Sequence, residues 1–471
     1  MGLNRLWVFL AIALPAVAAL LATMSTVDLT YHLRAGSEIL AIRAVPAVDT
    51  WTFTSAGQPW VDQQWGAQLV FALTERLGGW TGLAILRAAL TGAIFACVTL
   101  IGLRRGLDAR TAALLAIVVF LVAAPAMALR PQLLGMACFA VVLALVTDRR
   151  AHQRGLWLVP VIVAVWANLH GSFFLGPVVL GLAWLEDVHD RVAAPNRTLL
   201  VAVVSAVTAC LTPFGPAVWV YAVALSVNPE VTSRITEWQP TSVRDVPGIL
   251  FFASALLVVV LMARRGRPTS WPTLAWLAVF FVIGAYAQRG LAWWPLGAAA
   301  AVAGTLIAPS TVSARPDSPL IRRLNLIVAG GLILAAIVLL PAWRPLDPGT
   351  RTPVAILAEA PSGITAALRA SSAAGDRIFN PQVWGSWFVY ALPDRLVAID
   401  SRIEFFPAQV WDDYERVLGG ADGWEATLQA WGVNVVVVEG DDGAGLGARL
   451  VDAGWQETYR DSDGRILRPG P

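Results

Sequence analysis

Residues 26–79 hold ionisable side chains whose types and spacing suit a group-transfer reaction. Asp28 directly follows an apolar N-terminal stretch, and His32 and Arg34 lie four and six residues further on. If this stretch is helical, Asp28 and His32 approach one another on one face, with Arg34 less close. A carboxylate beside an imidazole can move a proton. The alternative is that Asp28 serves only as a helix N-cap, because aspartate accepts backbone N–H groups there.

Two further acids, Asp49 and Asp62, lie in the same segment among Trp51, Trp60 and Trp65. Both carboxylates are candidates for substrate binding. The crowded indole rings are also typical of an aromatic belt at a membrane interface, in which case the two acids are ordinary loop residues.

A second group of candidates stands at the outer ends of apolar runs and consists of Arg130, Arg289 and Arg234, the last of which precedes the acid Glu237. A charged group at a membrane is costly, and it usually faces a cavity, a partner or a lipid headgroup. Arginine suits a phosphate or pyrophosphate because its planar guanidinium binds bidentately. The alternative is that the long side chains only snorkel to the interface.

His170, in the segment Asn168-Leu-His-Gly, is the remaining polar candidate. A lone histidine more often completes a buried hydrogen-bond network than binds a metal. The sequence has no HExxH-like or CxxC spacing, so it identifies no metal-ligand motif. The nearby acids nevertheless leave a divalent metal open as a cofactor.

The elements that must position these residues are membrane-spanning helices. Of 471 residues, 57% are hydrophobic and 14% charged, whereas soluble domains carry about 25% charged residues. Mean hydropathy is +0.64. Eleven runs approach the length needed to cross a bilayer, at 6–25, 80–103, 111–128, 132–147, 156–170, 172–186, 198–213, 248–263, 271–287, 291–308 and 325–341. The composition therefore predicts a polytopic α-helical membrane protein with about eleven transmembrane helices.

The arginines predict how these helices are oriented. The chain has no lysine, and its 34 basic residues are arginines that give a net charge of +2. With a cytoplasmic N-terminus, the inner loops hold Arg104, Arg105, Arg110, Arg149, Arg150, Arg154, Arg191, Arg197, Arg264, Arg265, Arg267, Arg315, Arg322 and Arg323. The positive-inside rule then places 26–79, 214–246 and everything after residue 341 outside. The arginines form no basic stripe, so nucleic acid is excluded as a partner.

Beyond Pro341 the charge rises and the apolar runs shorten. We therefore predict two domains, a transmembrane domain over 1–341, whose first outer loop 26–79 carries interfacial helices, and a small extracytoplasmic α/β domain over 342–471. Within the second domain the patterns predict strands at 377–392, 395–399 and 433–439 and helices at 409–418 and 424–431. The rings of Trp384, Trp387, Phe405 and Phe406 either cover the transmembrane domain or form the core of the small domain itself.

The order of these segments resembles the GT-C superfamily of polyprenyl-phosphate-sugar-dependent glycosyltransferases, in particular a poorly characterised bacterial branch. The similar segments are Asp28 to Gly36, Val45 to Thr54, Gly57 to Trp65, Arg130 to Gln132, Trp166 to Gly171, Glu237-Trp238, Phe379 to Gly385 and Ala398 to Arg402. The resemblance covers nearly the whole chain in architecture, and its motifs are short.

The resemblance implies an inverting membrane glycosyltransferase with a GT-C-like fold, placed in a bacterial inner membrane, with Asp28 as the catalytic base. Its partners would be the bilayer, a polyprenyl-phosphate-linked sugar donor, and an acceptor that is a glycan, a lipid or a protein. The substrate-binding residues would be His32, Arg34, Asp49, Asp62, Arg130, His170, Glu237 and Arg289. In this branch an acidic residue often stands near position 64, but Gln64 is no acid, which puts a second catalytic carboxylate in doubt.

Two other classes of protein fit the same pattern. One is a non-enzymatic protein that binds or transports lipid-linked glycans on the same scaffold. Midplane charges are typical of transporters, whereas here the candidate residues gather at one predicted membrane face. The other is a structural partner in a cell-envelope assembly, for which Asp28 and the outer arginines would be dispensable.

Overall fold

The computed structural model describes residues 1–264, 268–306, 318–440 and 445–470. Arg265, Arg267, Arg315 and the end of the predicted span 291–308 lie outside these ranges. The α-helices, in chain order, are α1 (Leu3–Leu21), α2 (Thr26–Ile42), α3 (Trp65–Arg104), α4 (Ala109–Ala123), α5 (Pro131–Thr147), α6 (Val159–Trp166), α7 (Leu175–His189), α8 (Asn196–Thr208), α9 (Ala217–Val227), α10 (Pro229–Arg234), α11 (Val246–Arg264), α12 (Trp271–Tyr286), α13 (Trp293–Val302), α14 (Pro319–Val338), α15 (Ser362–Ser371), α16 (Gln382–Ala391), α17 (Ala408–Gly419), α18 (Trp424–Ala430) and α19 (Leu446–Asp452). The strands are β1 (Met24–Ser25), β2 (Leu357–Ala358), β3 (Arg377–Phe379), β4 (Leu396–Val397), β5 (Val435–Glu439), β6 (Trp455–Arg460) and β7 (Gly464–Pro469).

The protein is predominantly helical, and its helices have the length and composition of membrane spans. Within the described ranges, six helices are long and apolar enough to cross a bilayer, namely Leu3–Leu21, Trp65–Arg104, Ala109–Ala126, Gly171–His189, Val246–Arg264 and Pro319–Val338. Shorter apolar helices occupy Pro131–Thr147, Gly155–Trp166, Asn196–Thr208 and Trp271–Tyr286. The chain is therefore a multi-pass membrane protein, and the number of eleven spans remains a prediction.

The structure changes the boundaries of two spans that hydropathy predicts. α1 ends at Leu21, earlier than residue 25, because the chain becomes extended and forms β1. α3 is two helices joined at a kink, where Gly79 has φ 57° and ψ −154°. Glycine adopts this backbone region because it has no Cβ. The kink separates residues 65–78 from the predicted span 80–103.

Contacts within the chain define two compact units. The helical unit comprises Met1–Leu21 and Ala84–Leu340, and the mixed unit comprises Ala22–Leu83 and Pro341–Pro471. The sequence pattern had grouped residues 26–79 with the transmembrane helices. In the structure this segment belongs to the mixed unit instead, because α2 packs along α16.

The centre of the helical unit is α13, which is buried along most of its length. It packs against α4, α5, α11 and α12. Its Trp293 ring lies 5.3 Å from the Phe139 ring, which in turn contacts Phe280 at 5.6 Å. A helix that is apolar on every side belongs in the interior of a bundle.

The mixed unit contains a twisted sheet with the strand order β4-β3-β5-β7-β6. The strands β4, β3 and β5 are parallel, and β7 and β6 continue the sheet antiparallel. Four consecutive valines in β5 are buried, as β-branched residues favour a strand that is covered on both faces. The predicted strand at 433–439 and the predicted helices at 409–418 and 424–431 correspond to β5, α17 and α18.

The predicted strand at 377–392 is wrong beyond Phe379. Pro381 has no N–H for a sheet ladder, and the side chain of Asn380 bonds the backbone of Ala398 and Ile399 instead. The following residues form α16, in which Trp384, Trp387 and Phe388 are buried. These residues are three and four positions apart, which is the period of a helix. The many aromatic residues of the segment conceal this period in the sequence.

The N-terminal part of the mixed unit is fastened to its C-terminal part at several places. β1 pairs with β2 in parallel register. Thr54 Oγ1 donates to the carbonyl oxygen of Ala398 at 2.6 Å. Trp384 contacts Phe388, Trp387 donates its indole N–H to Thr365, and Phe406 contacts Trp411, so these buried rings contribute to the core of this unit.

Candidate functional site

Asp28 lies in the first turn of α2, and it is not the N-cap of that helix. Ser25 is the N-cap, since its side chain accepts the backbone N–H of Val27. The Asp28 side chain is half-buried at the positive end of the helix dipole, where a carboxylate is stabilised. The alternative interpretation of Asp28 as the N-cap is therefore wrong.

His32 lies one helical turn after Asp28 and is 2% exposed. Its Nδ1 lies 3.3 Å from Gln68 Nε2, and the same amide nitrogen donates to Asp62 Oδ1 at 2.6 Å. If the amide donates one proton to each, His32 Nδ1 is an acceptor and its proton is on Nε2. Gln68 therefore joins two sequence-predicted residues, His32 and Asp62, in one buried polar chain.

Asp62 is a buried acid with one carboxylate oxygen unpaired. It is 3% exposed, and its Oδ2 has no hydrogen-bond partner among the described residues. Burial raises the pKa of Asp62 to about 7, although the bond from Gln68 and the charge of Arg402 oppose the rise. A carboxyl group with such a pKa exchanges its proton near neutral pH.

This raised pKa predicts the sign of a stability effect. The folded protein holds the Asp62 proton more tightly than the unfolded chain does, so stability should fall as pH rises from about 4 to about 7. We expect Asp62→Asn to flatten the pH dependence of the thermal unfolding midpoint between pH 5 and 8. Asp394→Asn, at an exposed carboxylate, is the control and should keep the wild-type slope. Equal slopes in all three proteins would refute the assignment.

Arg34 is separated from Asp28 by the geometry of α2. Six residues correspond to about 600° of rotation, which places Arg34 on a different face of the helix. Its guanidinium pairs with Glu38 at 2.9 Å, one turn further on, and Glu38 also accepts the indole N–H of Trp51 at 2.9 Å. The expected grouping of Arg34 with Asp28 and His32 is therefore not formed within α2.

Asp49 forms the core of a second buried polar cluster. Its Oδ2 accepts the backbone N–H and the hydroxyl of Thr52, and its Oδ1 accepts from Arg402 Nη2 at 2.6 Å. Arg402 also donates to both oxygens of Asp400 at 2.7–3.0 Å. Asp49 and Arg402 are each about 1% exposed. Asp49 thus holds the mixed unit together, and this contact argues against direct substrate binding.

Aromatic rings enclose the Arg402 guanidinium on its remaining sides. Its central carbon lies 4.4 Å from the Trp51 ring, 4.7 Å from Trp60 and 4.8 Å from Phe405. Burial alone would lower the pKa of Arg402, but Asp400 and Asp49 outweigh burial and raise it, so the guanidinium stays charged. Two of the tryptophans that suggested an interfacial belt thus contact this cation.

In the helical unit, Arg130, Glu237 and Arg289 line one cavity of about 160 Å³. Arg130 forms an ion pair with Glu237. The Arg289 guanidinium lies 5.6 Å from the Trp238 ring centre, and the Arg289 carbonyl accepts from Gln132 Nε2 at 3.1 Å. Among the described residues, no carboxylate forms an ion pair with the Arg289 guanidinium. The cavity thus presents an arginine that can take an anion.

His170 lies outside that cavity, in the turn before α7. Its Nδ1 accepts the backbone N–H of Ser172 at 3.2 Å and lies 2.7 Å from the Ser172 hydroxyl, which the Trp166 indole also contacts. The ring is 8% exposed. These contacts are those of a buried network that shapes the turn.

No family model and no curated protein matches the chain. Among solved structures, the oligosaccharyltransferase AglB from Archaeoglobus fulgidus, in complex with an inhibitory peptide and a dolichol-phosphate, matches with TM-score 0.58 and 14% identity over 92% of this chain and 69% of its own. ArnT from Cupriavidus metallidurans matches in the apo state with TM-score 0.52 and 17% identity over 98% of both chains. The chain has the GT-C fold.

A third GT-C structure, the arabinofuranosyltransferase AftD from mycobacteria, matches with TM-score 0.54 and 17% identity. The match covers all of this chain but 42% of AftD. ArnT bound to undecaprenyl phosphate also matches, with TM-score 0.50 and 15% identity. At these identities the likeness concerns the fold. It confirms the resemblance inferred from the motifs.

The predicted site residues are divided between the two units of the chain. Asp28, His32, Arg34, Asp49 and Asp62 belong to the mixed unit, and Arg130, His170, Glu237 and Arg289 to the helical unit. Within the described residues, no three His, Cys, Asp or Glu side chains lie close enough together to hold a metal ion.

Sequence reasoning assigned no role to three polar residues, Gln68, Arg87 and Arg402. Gln68 and Arg402 link residues that are distant in sequence. Arg87 is 2% exposed within α3, and an arginine inside a predicted span was itself a signal. Arg402 also had a signal, because Asp400-Ser-Arg402 follows a buried strand.

Proposed function

We propose that this protein is an inverting membrane glycosyltransferase that moves a sugar from a polyprenyl-phosphate-linked donor to an extracytoplasmic acceptor. It would lie in a bacterial inner membrane, with the mixed unit outside. The observation that carries the proposal is Asp28, a half-buried carboxylate in the first turn of the helix after α1, where Ser25 already performs the capping. The shared GT-C fold supports the same reaction class.

In this mechanism Asp28 takes the proton of an acceptor hydroxyl as its oxygen attacks the anomeric carbon. The bond from the anomeric carbon to the phosphate oxygen breaks, and polyprenyl phosphate leaves as an anion. A phosphate leaving group needs charge stabilisation more than protonation, so one carboxylate base and one or two arginines are enough. A glycoside hydrolase, in contrast, needs two carboxylates because its leaving group must be protonated.

Arg289 is the candidate for the donor phosphate, with Arg130 as its neighbour in the same cavity. The Trp238 ring restrains the Arg289 guanidinium, which lowers the entropy lost when it binds an anion. Arg130 is already paired with Glu237, so a phosphate would have to compete with that carboxylate. His32 and Asp62, which Gln68 joins, are proposed to support the N-terminal end of α2, where Asp28 lies. No step is assigned to a metal.

We expect Arg289→Ala to raise the KM for a polyprenyl-phosphate sugar by about 10-fold to 100-fold, since a charge-assisted hydrogen bond is worth about 1.5–3 kcal/mol. Arg130→Ala should have a smaller effect because Glu237 already neutralises Arg130. Arg244→Ala, which removes an exposed arginine, is the matched control. Assays use purified protein with a synthetic donor series. An unchanged KM for the Arg289→Ala, Arg130→Ala double variant would eliminate this phosphate site.

The reaction class itself is tested in cells, by lipid extraction and mass spectrometry of a strain that lacks the gene. Accumulation of one polyprenyl-phosphate sugar, reversed by the wild-type gene and not by Asp28→Asn, is the expected result. Reversal by both genes would favour the alternative, a non-enzymatic protein that binds or transports lipid-linked glycans. No change in any lipid-linked sugar would overturn the proposal.

A further inference from the structure

A second charged cavity lies at the opposite end of α5 from Arg130. α5 has 17 residues and is therefore about 25 Å long. Its C-terminal end, together with the ends of α3, α7 and α13 and the start of α12, surrounds a cavity of about 210 Å³. The arginine distribution predicts that this end faces the cytoplasm. The cavity belongs wholly to the helical unit and is separate from the proposed donor site.

One of the two arginines that line this cavity is fully engaged. Arg149 binds Asp187 through Nε and Nη2 at 3.0 and 2.8 Å, and its Nη2 also contacts Glu186 at 2.9 Å. The backbone carbonyl of Val146 accepts from Nη1, and that of Ala183 also accepts from Nη2. Arg149 therefore fixes the wall of the cavity by joining the ends of α5 and α7.

The other arginine, Arg105, is attracted by the charge of Glu186 but makes no such direct contact. Within the described ranges its guanidinium donates no hydrogen bond and forms no ion pair, and its Nε is buried. Its neighbour Arg104 points elsewhere and pairs with Asp148 at 3.0 Å. A partly buried cation without an acceptor is costly, and such groups usually have a partner.

We propose that this cavity binds a phosphate-bearing anion through Arg105. A phosphate fits the volume, and its oxygens can accept bidentately from the guanidinium. Thr147, Thr273 and Thr305 line the same space, while Glu186 adds a negative charge that limits the affinity. A basic pocket between helices at the cytoplasmic face is a known way to hold an anionic lipid headgroup. A free phosphate offers the same chemistry.

The test uses the full chain in nanodiscs of phosphatidylcholine alone or with one third phosphatidylglycerol. Thermal unfolding is followed with and without inorganic phosphate, and native mass spectrometry counts retained phosphatidylglycerol. We expect phosphatidylglycerol to raise the unfolding midpoint of the wild type, and Arg105→Gln to weaken retention about tenfold or more. Stabilisation by inorganic phosphate in phosphatidylcholine discs would identify the free anion as the source instead.

The matched control is Arg104→Gln, which removes the adjacent arginine and the same net charge. It should retain phosphatidylglycerol within about twofold of wild type, because its partner is Asp148. Glu186→Gln should act in the opposite direction and strengthen retention, since it removes a competing carboxylate. If Arg105→Gln does not fold, Arg105→Lys replaces it as the test variant. It should also weaken phosphatidylglycerol retention, because lysine lacks the planar guanidinium.

Three results would overturn the proposal. One is a wild-type protein whose unfolding midpoint responds to neither phosphatidylglycerol nor inorganic phosphate. The second is equal loss of retention in Arg104→Gln and Arg105→Gln, which would indicate diffuse attraction to the membrane surface. The third is unchanged retention in both Arg105 variants. None of these readouts depends on sugar transfer, so the result is independent of the proposed enzyme activity.

Discussion

Purified Asp28→Asn protein is expected to lose about 10²- to 10⁴-fold in the rate of sugar transfer, because that is the usual contribution of a positioned general base. Asparagine keeps the size of the side chain and cannot accept the acceptor proton. Its effect on folding should be small, since the cap of α2 is provided by Ser25. The measurement is kcat with a polyprenyl-phosphate sugar, together with the elution profile and the unfolding midpoint of the same preparation.

Two control variants separate catalysis from helix stability. Ser25→Ala removes the side-chain cap and should cost about 1 kcal/mol of stability, while kcat stays within a few-fold of wild type. Asp394→Asn removes an exposed carboxylate of the same unit and should change neither quantity. Near-normal turnover in Asp28→Asn, or an equal loss of turnover in Ser25→Ala, would contradict the assignment of Asp28 as the base.

The parts of this site that sequence could predict are those set by local periodicity. Asp28 and His32 are four residues apart, so one helical turn suffices to bring them to one face. The same rule makes Glu38 the partner of Arg34, a pair that was readable from the spacing. Hydropathy is summed over about 20 residues and tolerates errors at each end, so it detects the long apolar helices. It missed α9, an apolar helix inside the predicted outer loop 214–246.

The contacts that sequence could not predict join distant segments. Arg402 meets Asp49 across 353 residues, and Gln68 meets His32 across 36. No local pattern encodes such pairs, because they depend on how α2 and the loop after it pack against the C-terminal sheet. The failure at α16 has a related cause, since aromatic residues suit a buried strand and a buried helix alike.

The Arg402 cluster leads to the largest expected effect on stability. Arg402→Gln would leave the carboxylates of Asp49 and Asp400, which are 1% and 0% exposed, without their cation. Removing one partner of a buried ion pair costs about 3–5 kcal/mol, a large share of the stability of a domain. We expect the unfolding midpoint to fall sharply, and near-ultraviolet circular dichroism to change because Trp51 and Trp60 contact Arg402.

A second substitution distinguishes lost pairing from lost packing at Arg402. Adding Asp400→Asn to Arg402→Gln removes one of the two stranded charges, so the double variant should be more stable than Arg402→Gln alone. Arg460→Gln breaks an exposed pair with Glu457 and should cost at most about 1 kcal/mol. A double variant no more stable than the single one would show that packing of the guanidinium against its rings, and not its charge, stabilises this unit. If Arg402→Gln is as stable as Arg460→Gln, the Arg402 cluster does not hold residues 22–83 to the C-terminal sheet.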